Sequence, residues 1–62
     1  MVALMEVIGF GRMSQPLAVF DNVDAGMKYV EEKFDIILME RDPDGHEAAD
    51  IFTASGSLYV IQ

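Results

Sequence analysis

One stretch limits the folding options of this chain more than any other. From Asp21 to Phe34, and nowhere else in the 62 residues, apolar side chains recur at helical spacing. Val23, Met27, Val30 and Phe34 stand at i, i+4, i+7 and i+11. At about 100° per residue they fall within a narrow arc of one helix face. Asp24, Lys28, Glu31 and Glu32 fall on the other side. Asp21 is expected to cap the helix, because its carboxylate can accept from the free amides of the first turn. Asp24 suits the positive helix end and forms an acid-first i, i+4 pair with Lys28. Gly26 lowers helix propensity by about 1 kcal/mol against Ala. It lies beside the apolar stripe, where a missing side chain lets the backbone approach a sheet.

Everything on either side of this helix reads as strand. Residues 3–10 are mainly aliphatic and end at Gly11. Gly9 and Gly11 flank Phe10, which marks a bulge or twist at the strand end. This Gly-Phe-Gly run lacks the third glycine and the following helix of a dinucleotide fingerprint, so it is not read as a phosphate loop. Residues 11–16 are a connection, and Pro16 suits a strand start or an edge. Leu17 to Phe20 give a second strand, in a hairpin with the first. After the helix, Ile36-Ile37-Leu38-Met39 are four apolar residues in a row, which argues for a central strand buried on both faces. Asp42-Pro43-Asp44-Gly45 is a turn signal. Residues 50–54 and 57–61 are two further strands about a tight Ser55-Gly56 turn. The expected fold is therefore α+β: one compact domain over 1–62, ββαβββ, with a mainly antiparallel sheet and one amphipathic helix packed on one face.

That fold creates a burial problem. A chain this short hides only about 60% of the surface its unfolded form exposes, and one helix covers one sheet face. Yet the strands carry apolar residues at both parities. Leu4, Ile8 and Phe10 share one side of the first strand, and Met5 and Val7 the other. Leaving one set wet forfeits about 25 cal/mol for each Å². Either the sheet curls into a half-barrel, or a second copy covers it. The second is the expectation: a homodimer with Met5, Val7, Ile37, Met39, Tyr59 and Ile61 at the interface. Five methionines suit an adaptable binding surface and serve equally as core filler.

Composition narrows the function classes. Hydrophobic residues make up 52%, too many for disorder. There is no cysteine, hence no disulfide and no thiolate zinc site. No apolar run approaches the roughly 20 residues of a membrane span, and no signal peptide is read at the N-terminus, so the expected setting is cytoplasmic. A net charge of −7 disfavours direct binding to nucleic acid or anionic lipid.

The charge is unevenly distributed. Glu31, Glu32, Asp35, Glu40, Asp42, Asp44, Glu47 and Asp50 face only Lys33 and Arg41 in residues 31–50. Such a run either keeps an apolar protein soluble or docks on a basic protein partner. In the second case the carboxylates can stand in for phosphates and block a protein that handles DNA or RNA. In size and charge alone, without a shared motif, the chain resembles small acidic phage inhibitors of restriction or CRISPR systems. That resemblance implies a nucleic-acid mimic, an anti-CRISPR or antirestriction role.

Chemistry-bearing motifs are weak. Glu40-x-Asp42-x-Asp44-Gly45 imitates the first half of a calcium loop, but the twelfth position is Ile51 where a bidentate Glu is required. No metal and no cofactor is expected. His46 is the only histidine, and its neighbours Asp44 and Glu47 favour the protonated imidazole. Ser14, Ser55 and Ser57 are turn residues, and Asp50 and Thr53 lie in a strand. No nucleophile, base and orienting group assemble from these. The sequence thus points to a non-catalytic interaction module, with a purely structural subunit as the alternative.

Overall fold

The computed structural model describes residues 1–43 and 47–62. Asp44, Gly45 and His46 lie outside the described residues, and with them the end of the calcium-like half-loop and the sole histidine. The strands are β1 (Val2–Gly9), β2 (Arg12–Met13), β3 (Ala18–Phe20), β4 (Ile36–Arg41), β5 (Ala49–Thr53) and β6 (Leu58–Ile61). The single helix α1 (Val23–Lys33) lies between β3 and β4. The sheet runs β2-β1-β6-β5-β4, with β3 also paired to β1, and every pairing is antiparallel. The α+β class, the mainly antiparallel sheet and the one packed helix stand as expected; the order is βββαβββ rather than ββαβββ, because a third short strand precedes the helix.

The hairpin that opens the chain is tighter than its sequence suggests. β1 turns over Phe10 and Gly11 straight into β2, with Gly11 at φ 65, a conformation that favours glycine. β2 and β3 are two halves of one edge strand along β1, parted by a bulge at residues 14–17. The bulge is held, not loose. Ser14 N donates to Glu6 O at 2.8 Å, Glu6 N donates back to Ser14 Oγ at 2.9 Å, and Leu17 N donates to Leu4 O at 2.8 Å. Pro16, which has no amide to contribute, sits inside it.

The helix carries the chain from the β3 edge to the β4 edge across one face. Asn22, not Asp21, is the N-cap: its Oδ1 accepts from Ala25 N at 2.8 Å. Asp24 pairs with Arg41 on β4 rather than with Lys28, which ties the first helical turn to the far edge strand. The helix stops where Phe34 turns extended and stacks on Tyr59, with ring centroids 4.8 Å apart. Its buried residues are Val23, Gly26 and Val30, with Met27 and Phe34 packed beside them. A Cβ on Gly26 would lie 3.0 Å from Ile61 Cδ1 and 3.1 Å from Phe20 Cδ2. The glycine is there because the helix backbone rests directly on the sheet.

Val2, Leu4, Ala49, Ile51 and Ile61 meet the helix stripe and complete the core. Among the described residues Thr53 is the one polar side chain buried with them. Its hydroxyl accepts from Ser57 N at 3.2 Å and lies 2.9 Å from Ser55 Oγ, so the β5–β6 turn satisfies it.

β4 corrects the sequence reading. The run Ile36-Ile37-Leu38-Met39 does not form a central strand buried on both sides; β4 is an edge. Its register slips between Ile36 and Leu38, so that Ile36 faces Thr53 and Leu38 faces Phe52. Ile37 is the extra residue of a bulge. Ile36 and Met39 pack on the core, while Ile37 and Leu38 are 63% and 53% exposed. Four apolar residues in a row are here the imprint of a bulge that breaks alternation, not of double burial.

Candidate functional site: the open face of the sheet

Cross-strand register decides which side chains share the face away from the helix, because directly opposed residues project to the same side. Leu38 faces Phe52, Phe52 faces Leu58, Leu58 faces Val7 and Val7 faces Met13. This is one continuous apolar row across the whole width of the sheet, with Ile37 beside it. The next row is Glu40, Asp50, Val60 and Met5. The last pairs Ala3 with Val19.

The two ends of the apolar row differ in exposure. Toward β4, Leu38, Phe52 and Leu58 are 53%, 41% and 40% exposed. Toward β1, Met5 and Val7 are half-buried although no other layer lies over them. Their cover comes from the sheet's own curl: Gln62 Nε2 donates to Met13 Sδ at 3.6 Å, although β6 and β2 lie on opposite sides of β1. Half of the face is thus shielded by its own long side chains, and half is open.

Charge borders the row on the β4 side. Glu40 and Asp50 are directly opposed on neighbouring strands. Like charges in that position repel, and both residues are exposed. At the other edge Arg12 is paired with Gly9, but the register slips between Val7 and Gly9, so Arg12, next to Met13 on β2, does not share the face of Val7 and Met13. Of the four basic residues, Lys28 and Lys33 belong to the helix and Arg41 pairs with Asp24 on the helix side.

The predicted interface residues therefore separate. Met5 and Val7 do lie on the open face, and Ile37 is the exposed bulge residue of β4. Met39, Tyr59 and Ile61 do not: they face the helix, and Ile61 is fully buried. The error is one of register across strands, since Met5 is opposed by Val60 and not by Ile61. Phe52, Leu58, Leu38 and Met13 are the residues sequence reasoning left out of the set. Opposite parity to Ile51 and Tyr59 was the signal that could have found the first two.

The predicted acidic surface also divides. Glu31 and Glu32 lie on the outer helix and Asp35 just after it. Glu40 and Asp50 project from the open face, and Asp42 and Glu47 lie between β4 and β5. Among the described residues these do not share one face.

Among the described residues one hollow opens at the hairpin end and another on the helix side. One, of about 430 Å³, opens at the hairpin end between Glu6, Val7, Phe10 and Leu58. The other, of about 180 Å³, lies by the helix end between Lys33, Phe34, Thr53 and Tyr59. Among the described residues no three acidic or histidine side chains are grouped as a metal site would require. None of the described helices is long and apolar enough to cross a membrane.

No protein-family model matches the chain, and no curated protein or solved structure is similar to it at a significant level.

Proposed function

We propose that this protein is a small non-catalytic interaction module that acts through the open face of its sheet and self-associates there. The observation that carries the reading is the in-register apolar row from Leu38 through Phe52, Leu58 and Val7 to Met13. Contiguous apolar surface on a soluble chain marks a contact site, and a net charge of −7 keeps the separated copies soluble. The hydroxyls of Thr53, Ser55 and Ser57 bond to one another and to turn backbone, which fits structure better than nucleophilic chemistry. Docking of the acidic residues on a basic partner draws less support, because they are spread over the helix, the open face and a loop.

Light scattering after size exclusion, over a range of concentrations, tests this reading. The expected mass rises toward twice 6.9 kDa with concentration. Leu58→Lys places a charge in the centre of the row and is expected to hold the chain monomeric with unchanged circular dichroism. A wild-type chain that stays monomeric up to about millimolar concentration, where only the weakest specific contacts remain open, removes the reading. So does a Leu58→Lys variant that still doubles.

A further inference from the structure

We propose that the outer edge of β4 takes an extended segment of another protein as an added antiparallel strand, and that this segment carries a basic residue two positions before an apolar one. The proposal concerns the edge of the sheet and does not rest on self-association through its open face.

The hydrogen-bonding phase of β4 identifies the groups on offer. β4 ends the strand order, so one side of it has no strand partner among the described residues. Asp42 N donates to Ala48 O at 3.0 Å, and Arg41 is opposed to Ala49. In an antiparallel ladder, pairs that exchange hydrogen bonds alternate with pairs that do not. Asp42–Ala48 and Glu40–Asp50 are therefore bonded pairs, and Arg41–Ala49 and Met39–Ile51 are not. The backbone N–H and C=O of Met39 and Arg41 point away from β5, toward the outer edge. These are the donors and acceptors that an added strand bonds. The bulge at Ile37 interrupts the alternation, so the regular template runs from Leu38 to Arg41.

Side chains set the chemistry of the segment. Each residue of an added strand joins a row that already crosses the sheet. The position opposite Leu38 extends the row of Leu58, Phe52 and Leu38, which are apolar and exposed. The position opposite Glu40 extends the row of Val60, Asp50 and Glu40, in which two exposed carboxylates stand side by side. Neither carboxylate has an ion-pair partner among the described residues. An apolar residue fits the first position, and Lys or Arg fits the second. Across the new junction both are pairs without hydrogen bonds, the kind in which Cα atoms approach to about 4.5 Å and side chains lie closest. Every pairing in this sheet is antiparallel. A segment running antiparallel to β4 meets Glu40 first and Leu38 two residues later.

The same charges turn away a second copy. Two β4 strands paired antiparallel about a two-fold axis oppose residues of one face, and Arg41 is on the helix side, joined to Asp24. No such register gives Glu40 a cation. With Met39 opposite Arg41 of the second copy, the two Glu40 side chains meet. With Met39 opposite Met39, each Glu40 lies against Leu38. The edge therefore favours a basic segment from elsewhere.

A capped synthetic peptide, Thr-Thr-Lys-Thr-Val-Thr-Thr, tests this when titrated at low salt into dilute, nitrogen-15-labelled wild-type protein. The amide signals of Met39 and Arg41 are expected to shift and their hydrogen exchange to slow, while exchange at Glu40, already bonded to β5, changes less. Replacing the peptide's lysine by glutamate, or Glu40→Lys in the protein, is expected to weaken binding about five- to tenfold, since attraction becomes repulsion. Combining the two exchanges is expected to restore it. N-methylation of the central threonine, which faces Met39, removes a donor and is expected to abolish binding. Absence of binding up to about millimolar peptide overturns the proposal. So does binding that the N-methyl group leaves intact, or binding indifferent to the lysine. Shifts confined to Val7 and Leu58 also overturn it, by placing the peptide on the open face. None of these outcomes bears on the concentration dependence of the mass, which tests self-association separately.

Discussion

The two faces of the sheet are built from the same residue types and are treated differently by the molecule. Ile51 and Phe52 are chain neighbours on β5. Ile51 is fully buried under the helix, while Phe52 is 41% exposed on the other side. Ile61 and Val60 are neighbours on β6, and both are shielded, one by the helix and the other by the curl of the sheet. The difference teaches that burial in so small a chain is allocated by cover, not by hydrophobicity. One helix of 11 residues covers one face. The other face receives only what its own long side chains provide, and that runs out toward β4.

The comparison breaks most plainly on paired truncations. Ile51→Ala leaves a cavity beneath the helix that the surroundings cannot fill, and is expected to cost about 2–5 kcal/mol. A domain of this size holds roughly 3–9 kcal/mol in all, so the urea midpoint should collapse. Ile37→Ala removes as much side chain from the open face and should change the midpoint by about 0.5 kcal/mol or less when measured on dilute monomer. Equal losses at the two positions would mean that the open face carries part of the fold's own stability.

The covered face depends on close approach, and Gly26 is where it is closest. With a Cβ placed 3.0 Å from Ile61 and 3.1 Å from Phe20, a branched side chain must lift the helix. Gly26→Val is expected to destabilise by about 1–3 kcal/mol through overpacking. Thermal melting checks this, and a variant as stable as wild type would show that the helix can float without loss.

Much of this architecture is legible in the residues. The Val23–Phe34 spacing locates the helix and its buried stripe, and the excess of apolar residues at both parities announces an uncovered face. What one sequence does not carry is register between strands. Met5 and Val7 belong with Val60 and Leu58, yet parity within each strand is equally compatible with Ile61 and Tyr59, and only the pairing decides. Bulges add a second obstruction. Ile37 breaks alternation on β4, and residues 14–17 split the edge strand, so a period of two fails just where the sheet edges are. The acidic run misled for a related reason: residues close in sequence leave on different sides of strand, helix and loop.

The smallest expected effect concerns how firmly the cover is seated. Asp21 and Asn22 are both good capping residues, and sequence alone favours Asp21 for its charge at the positive helix end. The structure gives the position to Asn22, whose backbone at φ −154 and ψ 172 is extended while its Oδ1 takes the Ala25 amide. Asn22→Ala should therefore lose about 1 kcal/mol, and Asn22→Asp should lose little, because the carboxylate accepts the same hydrogen bond. Asp21→Ala should stay within about 0.5 kcal/mol, as for an exposed residue that anchors nothing. Urea titrations of the three variants separate the two readings. If Asp21→Ala proves the costlier, the helix begins one residue earlier, and its first turn sits differently over Phe20 and the β3 end of the covered face.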